Sequence, residues 1–213
     1  MKIHAVIFDL DGVLVFTDCF HYQAWKEVAD ARGIYFDGEI NHRLRGVSRI
    51  ESLEIILEQY EGIPLSQEEK EAVAEEKNRI YRGLLAGMTP ADVGADVRET
   101  LSELRRRGYA VALGSSSKNA AFILEKVGLS EAFDAVSDGT QITRSKPDPE
   151  VFLRAAELLG EEPGRCLVVE DAEAGIKAGI AGGMKTAAIG DAVRSGLADY
   201  RLEQISDLLK ILE

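Results

Sequence analysis

Ile3-His4-Ala5-Val6-Ile7-Phe8-Asp9-Leu10-Asp11-Gly12 is the stretch whose reading decides the fold. Residues 3–8 are β-favouring and apolar on both faces, as in a strand covered on both sides in a parallel sheet. Comparable runs recur at 109–113, 133–136, 166–169 and 185–189. Helical patterns lie between them. Val97, Leu101 and Leu104 share one face of a predicted helix over 97–107, with Gly108 as its stop. A second helix is predicted over 120–127, ending at Gly128. A third covers 149–159, with Asp148 as N-cap, Pro149 at its first position and Gly160 at its end. Strand alternating with helix implies an α/β fold built on a doubly wound parallel sheet.

Residues 17–87 break that rhythm. They show helix patterns at 21–32, 50–60 and 67–85 and no convincing strand. A helical insertion after the first strand is the economical reading, with its return marked by Thr89-Pro90-Ala91-Asp92-Val93. The expected organisation is an α/β catalytic core of residues 1–16 and 88–213 with a helical cap at 17–87. In the stretch 68–76, Lys70 stands among five glutamates, which reads as a solvated helix face.

The 213 residues are 46% hydrophobic and 29% charged, ordinary values for a globular chain. Lys plus Arg number 25 against 37 Asp plus Glu, a net charge of −12. Such an excess argues against nucleic acid and anionic membrane as partners, since both need a basic face. An anionic ligand would require positive charge concentrated locally. No run approaches the roughly 18 apolar residues of a membrane span. The N-terminal apolar run is cut short by Asp9 and fails as a signal peptide. Cys19 and Cys166 are far apart and lack metal-ligand spacing, so a reduced, cytoplasmic protein is expected. No heptad or apolar surface stripe is evident, and a monomer is expected.

A parallel sheet binds ligands at the carboxyl ends of its strands. The first strand delivers Asp9-Leu10-Asp11-Gly12 there, and the second delivers Gly114-Ser115-Ser116-Ser117-Lys118-Asn119. Ser145-Lys146-Pro147 follow the third, and Glu170-Asp171 end the fourth. Four converging carboxylates cannot all stay ionised without a cation, and an all-oxygen set suits Mg²⁺. A hydroxyl and a lysine beside the metal suit a phosphoryl group. A GxxxxGK[ST] phosphate loop is missing from the sequence, which leaves a carboxylate as nucleophile, forming an aspartyl-phosphate. With one residue between them, Asp9 and Asp11 can divide the work of attack and proton transfer.

Phe8-Asp9-Leu10-Asp11-Gly12-Val13 resembles the signature of the haloacid dehalogenase superfamily of phosphatases and phosphomutases. Ser115, Lys146 and Glu170-Asp171 match its other motifs in order, and the insertion resembles its small four-helix cap. Within the superfamily the chain is most similar to the β-phosphoglucomutases. That narrower likeness rests on His21 to Lys26, Gly46-Val47-Ser48-Arg49, Lys77-Asn78 with Tyr81, Thr89 to Val93, Ser115 to Asn119, and Ser145-Lys146-Pro147.

The resemblance implies Asp9 as nucleophile and Asp11 as general acid and base. It implies one Mg²⁺ on Asp9, the Asp11 carbonyl and Asp171, with Glu170 as ligand or close support. Ser115 and Lys146 would hold the transferring phosphoryl. Arg49, Ser117, Lys118 and Asn119 would grip a second, non-reacting phosphate, so that binding closes the cleft. A His21–Lys77 pair would couple closure to the acid/base, and Trp25 with Gly46 and Val47 would line a sugar pocket. The implied reaction interconverts β-D-glucose 1-phosphate and glucose 6-phosphate through bound β-glucose 1,6-bisphosphate. Hydrolysis of a sugar phosphate by the same machinery is the alternative. Two positions depart from the family pattern: Phe16 stands where Asp is usual before Thr17, and Gly94-Ala95-Asp96 replaces a common Pro-Gly.

Overall fold

The computed structural model describes residues 2–212, which form two compact units. Thr17–Gly87 is one; the chain up to Phe16 together with the chain from Met88 onward is the other.

Thr17–Gly87 is helical: α1 (Asp18–Asp30), α2 (Gly38–His42), α3 (Arg49–Leu57) and α4 (Gln67–Leu85). Two of these starts are written plainly in the sequence. Ser48 and Ser66 each accept from the backbone N–H three residues on, and Glu51 and Glu69 reach back to the serine N–H. These reciprocal caps satisfy donors that a helix leaves open at its first turn. The core of this unit includes Trp25, Val28, Phe36, Leu53, Ile56 and Val73. The glutamate-rich stretch is the solvated face its composition suggests, with Glu68, Glu69, Glu71 and Glu75 exposed. Val73 and Ala74 are buried, and Glu75 and Glu76 pair with Arg49 and Arg32.

The α/β unit holds six strands: β1 (Ala5–Phe8), β2 (Ala110–Gly114), β3 (Ala135–Ser137), β4 (Cys166–Glu170), β5 (Lys185–Ala188) and β6 (Tyr200–Arg201). They pair in parallel in the order β3-β2-β1-β4-β5-β6, the expected doubly wound sheet. Its helices are α5 (Ala95–Arg106), α6 (Ala120–Lys126), α7 (Glu150–Leu159), α8 (Glu173–Ala181) and α9 (Leu208–Ile211). Ala5 and Ile7 pack in a cluster with Phe152 and Ala155 of α7 and Ala178 of α8. Val6 and Phe8 alternate to the opposite face and are also fully buried. A strand covered on both sides explains why residues 3–8 carry no polar face.

Several boundaries differ from expectation. The helix at α7 starts at Glu150 with Pro149 as its N-cap residue, so Asp148 lies one position further out than predicted. Its side chain still caps, accepting from the Glu150 N–H at 3.0 Å. Helix α1 begins at Asp18 rather than residue 21, and α3 at Arg49, ending at Leu57. Helix α8 was not anticipated. Gly175 and Gly179 are poor helix formers, and its apolar residues do not mark a single face.

Candidate active site

Strand order places the site. From β1 the chain builds outward through β2 and β3 on one side, then continues with β4, β5 and β6 on the other. Such a reversal opens a crevice at the carboxyl ends of the two strands that flank it. Phe8, the last residue of β1, pairs in register with Val169, and Asp9 N–H donates to the Val169 carbonyl at 3.0 Å. Asp9 therefore leaves the sheet beside Glu170.

The positive charge at this point is Lys146, 2% exposed. Its Nζ donates to Asp9 Oδ1 at 2.5 Å and to Glu170 Oε1 at 2.6 Å, and lies 4.6 Å from the Phe152 ring centre. Burial favours an uncharged lysine, but Asp9 and Glu170 outweigh it and raise the pKa above the ordinary range. Burial pushes Glu170 up to about 7 against the pull of Lys146, with Asp9 adding to the rise. Ala172 N–H donates to Glu170 Oε2 at 2.9 Å and fixes the carboxylate from its other side. A lone lysine is ordinarily a surface residue; the motifs place Lys146 at the site, and the fold adds that it is buried between the carboxylates.

Asp9, Glu170 and Asp171 offer oxygens that all lie within 4.8 Å of one another. Two glycines make this crowding feasible. Gly12 turns the chain with φ +84°, and a Cβ on it would stand 2.0 Å from Asp171 Oδ2. A Cβ on Gly175 would stand 1.8 Å from Glu170 Oε1. Any side chain at either position would displace a carboxylate. Three acidic groups against one lysine leave excess negative charge, and their hard oxygens fit Mg²⁺. Among the described residues the side chain of Asp11 is not part of this cluster. It is half-buried on the tight turn that follows β1, where Gly12 N–H donates to the Val15 carbonyl at 2.7 Å.

Beyond β2 the chain forms a stepped hydroxyl loop. Ser115 Oγ accepts from Ser117 N–H at 3.1 Å, and Ser117 Oγ accepts from Asn119 N–H at 3.2 Å. A hydroxyl used as acceptor keeps its own proton to donate, so both serines are preset as donors to anionic oxygen. Ser115 is also held by its N–H on the Ser137 carbonyl at 3.0 Å. Asn119 is buried and Lys118 exposed.

Within the helical unit the structure brings His21 and Lys77 together. Lys77 Nζ lies 2.7 Å from His21 Nδ1. An ammonium has no lone pair, so Nδ1 accepts and the proton of the neutral ring sits on Nε2. Burial, then Lys77, then Arg49, hold the His21 pKa well below the ordinary imidazole value. Arg49 Nη1 pairs with Glu75 at 3.3 Å, and burial lowers its pKa while Glu75 opposes the shift. Gly46, with φ +77°, and Val47 form the turn before the Ser48 cap, both half-buried. Trp25 is buried in the helical core, 5.2 Å from Lys77 Nζ. Phe16 is 73% exposed. Sequence reasoning missed Gly175, which is visible only as a close approach, and Phe152 beneath Lys146.

Residues 3–183 match the haloacid dehalogenase-like hydrolase family. The chain is 40% identical over 206 residues to the β-phosphoglucomutase of Bacillus subtilis (strain 168), covering 96% of this chain and 91% of that one. It is 32% identical over 183 residues to a phosphorylated carbohydrates phosphatase of Thermotoga maritima, covering 85% of this chain and 82% of the other. The crystal structure of a β-phosphoglucomutase from Clostridium difficile superposes with a TM-score of 0.90 at 36% identity, covering 97% of this chain and 93% of that one. With its carboxylate cluster, buried lysine and serine loop gathered at the sheet's switch point, the chain belongs to the haloacid dehalogenase-like hydrolase family.

Proposed function

We propose that the protein is a Mg²⁺-dependent phosphomutase that interconverts β-D-glucose 1-phosphate and glucose 6-phosphate. The observation that carries this reading is the pair of donor groups in the serine loop. Ser115 stands beside the Asp9–Lys146 centre in sequence role, and Ser117, Lys118 and Asn119 form a second set of anion donors. An enzyme that only releases phosphate needs the first; a mutase must hold both phosphates of a bisphosphate. The 40% identity to a β-phosphoglucomutase supports the same reading.

In the proposed cycle Asp9 begins as an aspartyl-phosphate. Asp11 takes the proton of the sugar 6-hydroxyl as that oxygen forms its bond to phosphorus and the Asp9 oxygen–phosphorus bond breaks. The resulting β-glucose 1,6-bisphosphate turns end for end. Asp9 then attacks the phosphorus on the C1 oxygen, and Asp11 returns the proton to that oxygen as it leaves. Glucose 6-phosphate departs and Asp9 is phosphorylated again. Ser115 and Lys146 hold the moving phosphoryl; Arg49, Ser117, Lys118 and Asn119 hold the stationary phosphate. Mg²⁺ bound by Asp9, Asp171, Glu170 and the Asp11 carbonyl would neutralise charge on the phosphoryl oxygens. Gly46 and Val47 line the sugar side, with Trp25 buried in the core of the same unit rather than open to the sugar, and His21 with Lys77 couples cap closure to the placement of Asp11. The site works as one small-molecule centre in a cytoplasmic monomer.

The phosphatase relative favours a second reading, hydrolysis of a sugar phosphate by the same Asp9 chemistry with water as acceptor. Arg49 separates the two. Arg49→Ala removes a charged phosphate ligand worth about 1.5–3 kcal/mol, so kcat/KM for isomer formation should fall about 10- to 100-fold. Orthophosphate release per turnover should rise in parallel. An unchanged kcat/KM for β-glucose 1-phosphate in this variant would contradict the second grip.

A further inference from the structure

Tyr81 lies on α4, one helical turn beyond Lys77, and nothing in the proposed cycle uses it. It is 1% exposed. Its ring stacks on His21 with centroids 4.1 Å apart and planes tilted by 33°. The Lys77 ammonium sits over the same ring, 4.5 Å from its centroid. Its hydroxyl is 3.0 Å from Thr17 Oγ1, a contact spanning 64 residues between two fully buried groups. Thr17 is the residue from which α1 starts. Its carbonyl accepts from Phe20 N–H at 2.9 Å and His21 N–H at 3.0 Å. The hydroxyl bond therefore ties α4 to the turn of backbone that carries His21.

We propose that Tyr81 is a positioning residue that sets the His21–Lys77 pair, through its ring on both members and through its hydroxyl on Thr17. His21 and Lys77 come from different helices, 56 residues apart, and their 2.7 Å contact requires α1 and α4 to hold a fixed rotation and height. The buried hydroxyl contact ties the two, because sliding either helix would break it. The Tyr81 face also offers the 2% exposed Lys77 a favourable site for its charge beside the neutral imidazole. The stack limits rotation of the imidazole, so that Nδ1 keeps meeting Lys77 and Nε2–H keeps one direction. The importance of that direction for turnover rests on the mutase reading; the placement of the imidazole does not.

The test uses Tyr81→Phe, which deletes the hydroxyl and keeps the ring, and Thr17→Val, which deletes its partner. The imidazole ¹⁵N shifts of His21 at pH 7.5 should show a single Nε2–H tautomer in the parent protein and a tautomer mixture in each variant. Each variant should lower kcat about 10-fold with KM for β-glucose 1-phosphate nearly unchanged, the signature of a slightly misplaced group. The double variant should also lose about 10-fold, because both changes break one bond; independent roles would multiply to about 100-fold. Unchanged His21 shifts in both single variants, or multiplying losses, would overturn the proposal. Should Tyr81→Phe fail to fold, Thr17→Val alone decides it by the same shifts. A parent protein that makes no glucose 6-phosphate would sink the mutase reading, and the ¹⁵N measurement would still decide the role of Tyr81.

Discussion

Replacing Asp9 by asparagine is expected to lower turnover by about 10⁴-fold or more, whichever product is measured. Asparagine has nearly the volume of aspartate and keeps an oxygen for Lys146 Nζ, so the fold and the buried contact to Glu170 should persist. What is lost is the anionic oxygen that forms the bond to phosphorus. The amide is a poor nucleophile, and general electrostatic help from neighbouring groups cannot replace a covalent step. Acid quenching of the parent protein during turnover should trap phosphate on the chain, and the variant should trap none. Equal trapping in both would assign the nucleophile elsewhere. Loss of one carboxylate from the set of Asp9, Glu170 and Asp171 should also weaken Mg²⁺ binding, so the assay must run at saturating metal.

Lys146→Met should have the largest effect on stability. Methionine fills the space of the lysine stem but leaves Asp9 and Glu170 buried without their shared cation. Breaking a buried pair by removing one partner costs about 3–5 kcal/mol, which for a chain of this size is roughly 6–20 °C in Tm. In a metal chelator the variant should therefore melt well below the parent. Saturating Mg²⁺ should restore part of the difference, because a divalent cation neutralises the same carboxylates. Activity should remain low even then, by about 10²- to 10³-fold, since on the proposed mechanism the donor to the transferring phosphoryl is gone. Equal melting temperatures of variant and parent in chelator would contradict the buried triad.

The core of the fold was legible because its signals are local. Residues 3–8 have no polar face, and the structure covers Ala5 and Ile7 on one side and Val6 and Phe8 on the other. The acidic and hydroxyl groups then follow their strands within one or two residues, so the sheet rule gathers Asp9, Ser115 and Glu170 once the strands are known. Where the decisive contact is long-range, the sequence names the residue but not its partners. Lys146 is expected near the carboxylates, but its burial and its shared contact with Asp9 and Glu170, 137 and 24 residues away, come only with the fold. Tyr81 is marked in the sequence only as part of the resemblance, and its contact with Thr17 comes only with the fold. Helix α8 escaped because the glycines that let it lie against Glu170 and Thr186 also erase its helical signature. Strand β6 is two residues long and has no room for a period.

The net charge of −12 also takes on a clearer meaning. Part of the negative charge is gathered in one carboxylate cluster that could hold a metal, and the cations near it are few. Lys146 is locked by two carboxylates, while Ser115 and Ser117 offer neutral donors.

The most direct test of the mutase reading is the partition of product in a single reaction. β-Glucose 1-phosphate is supplied with Mg²⁺ and a catalytic amount of β-glucose 1,6-bisphosphate, and glucose 6-phosphate and orthophosphate are followed together. Glucose 6-phosphate should account for nearly all substrate consumed, with orthophosphate appearing only as a slow leak from the aspartyl-phosphate. Orthophosphate forming as fast as substrate disappears, with no glucose 6-phosphate, would contradict it and identify the protein as a phosphatase.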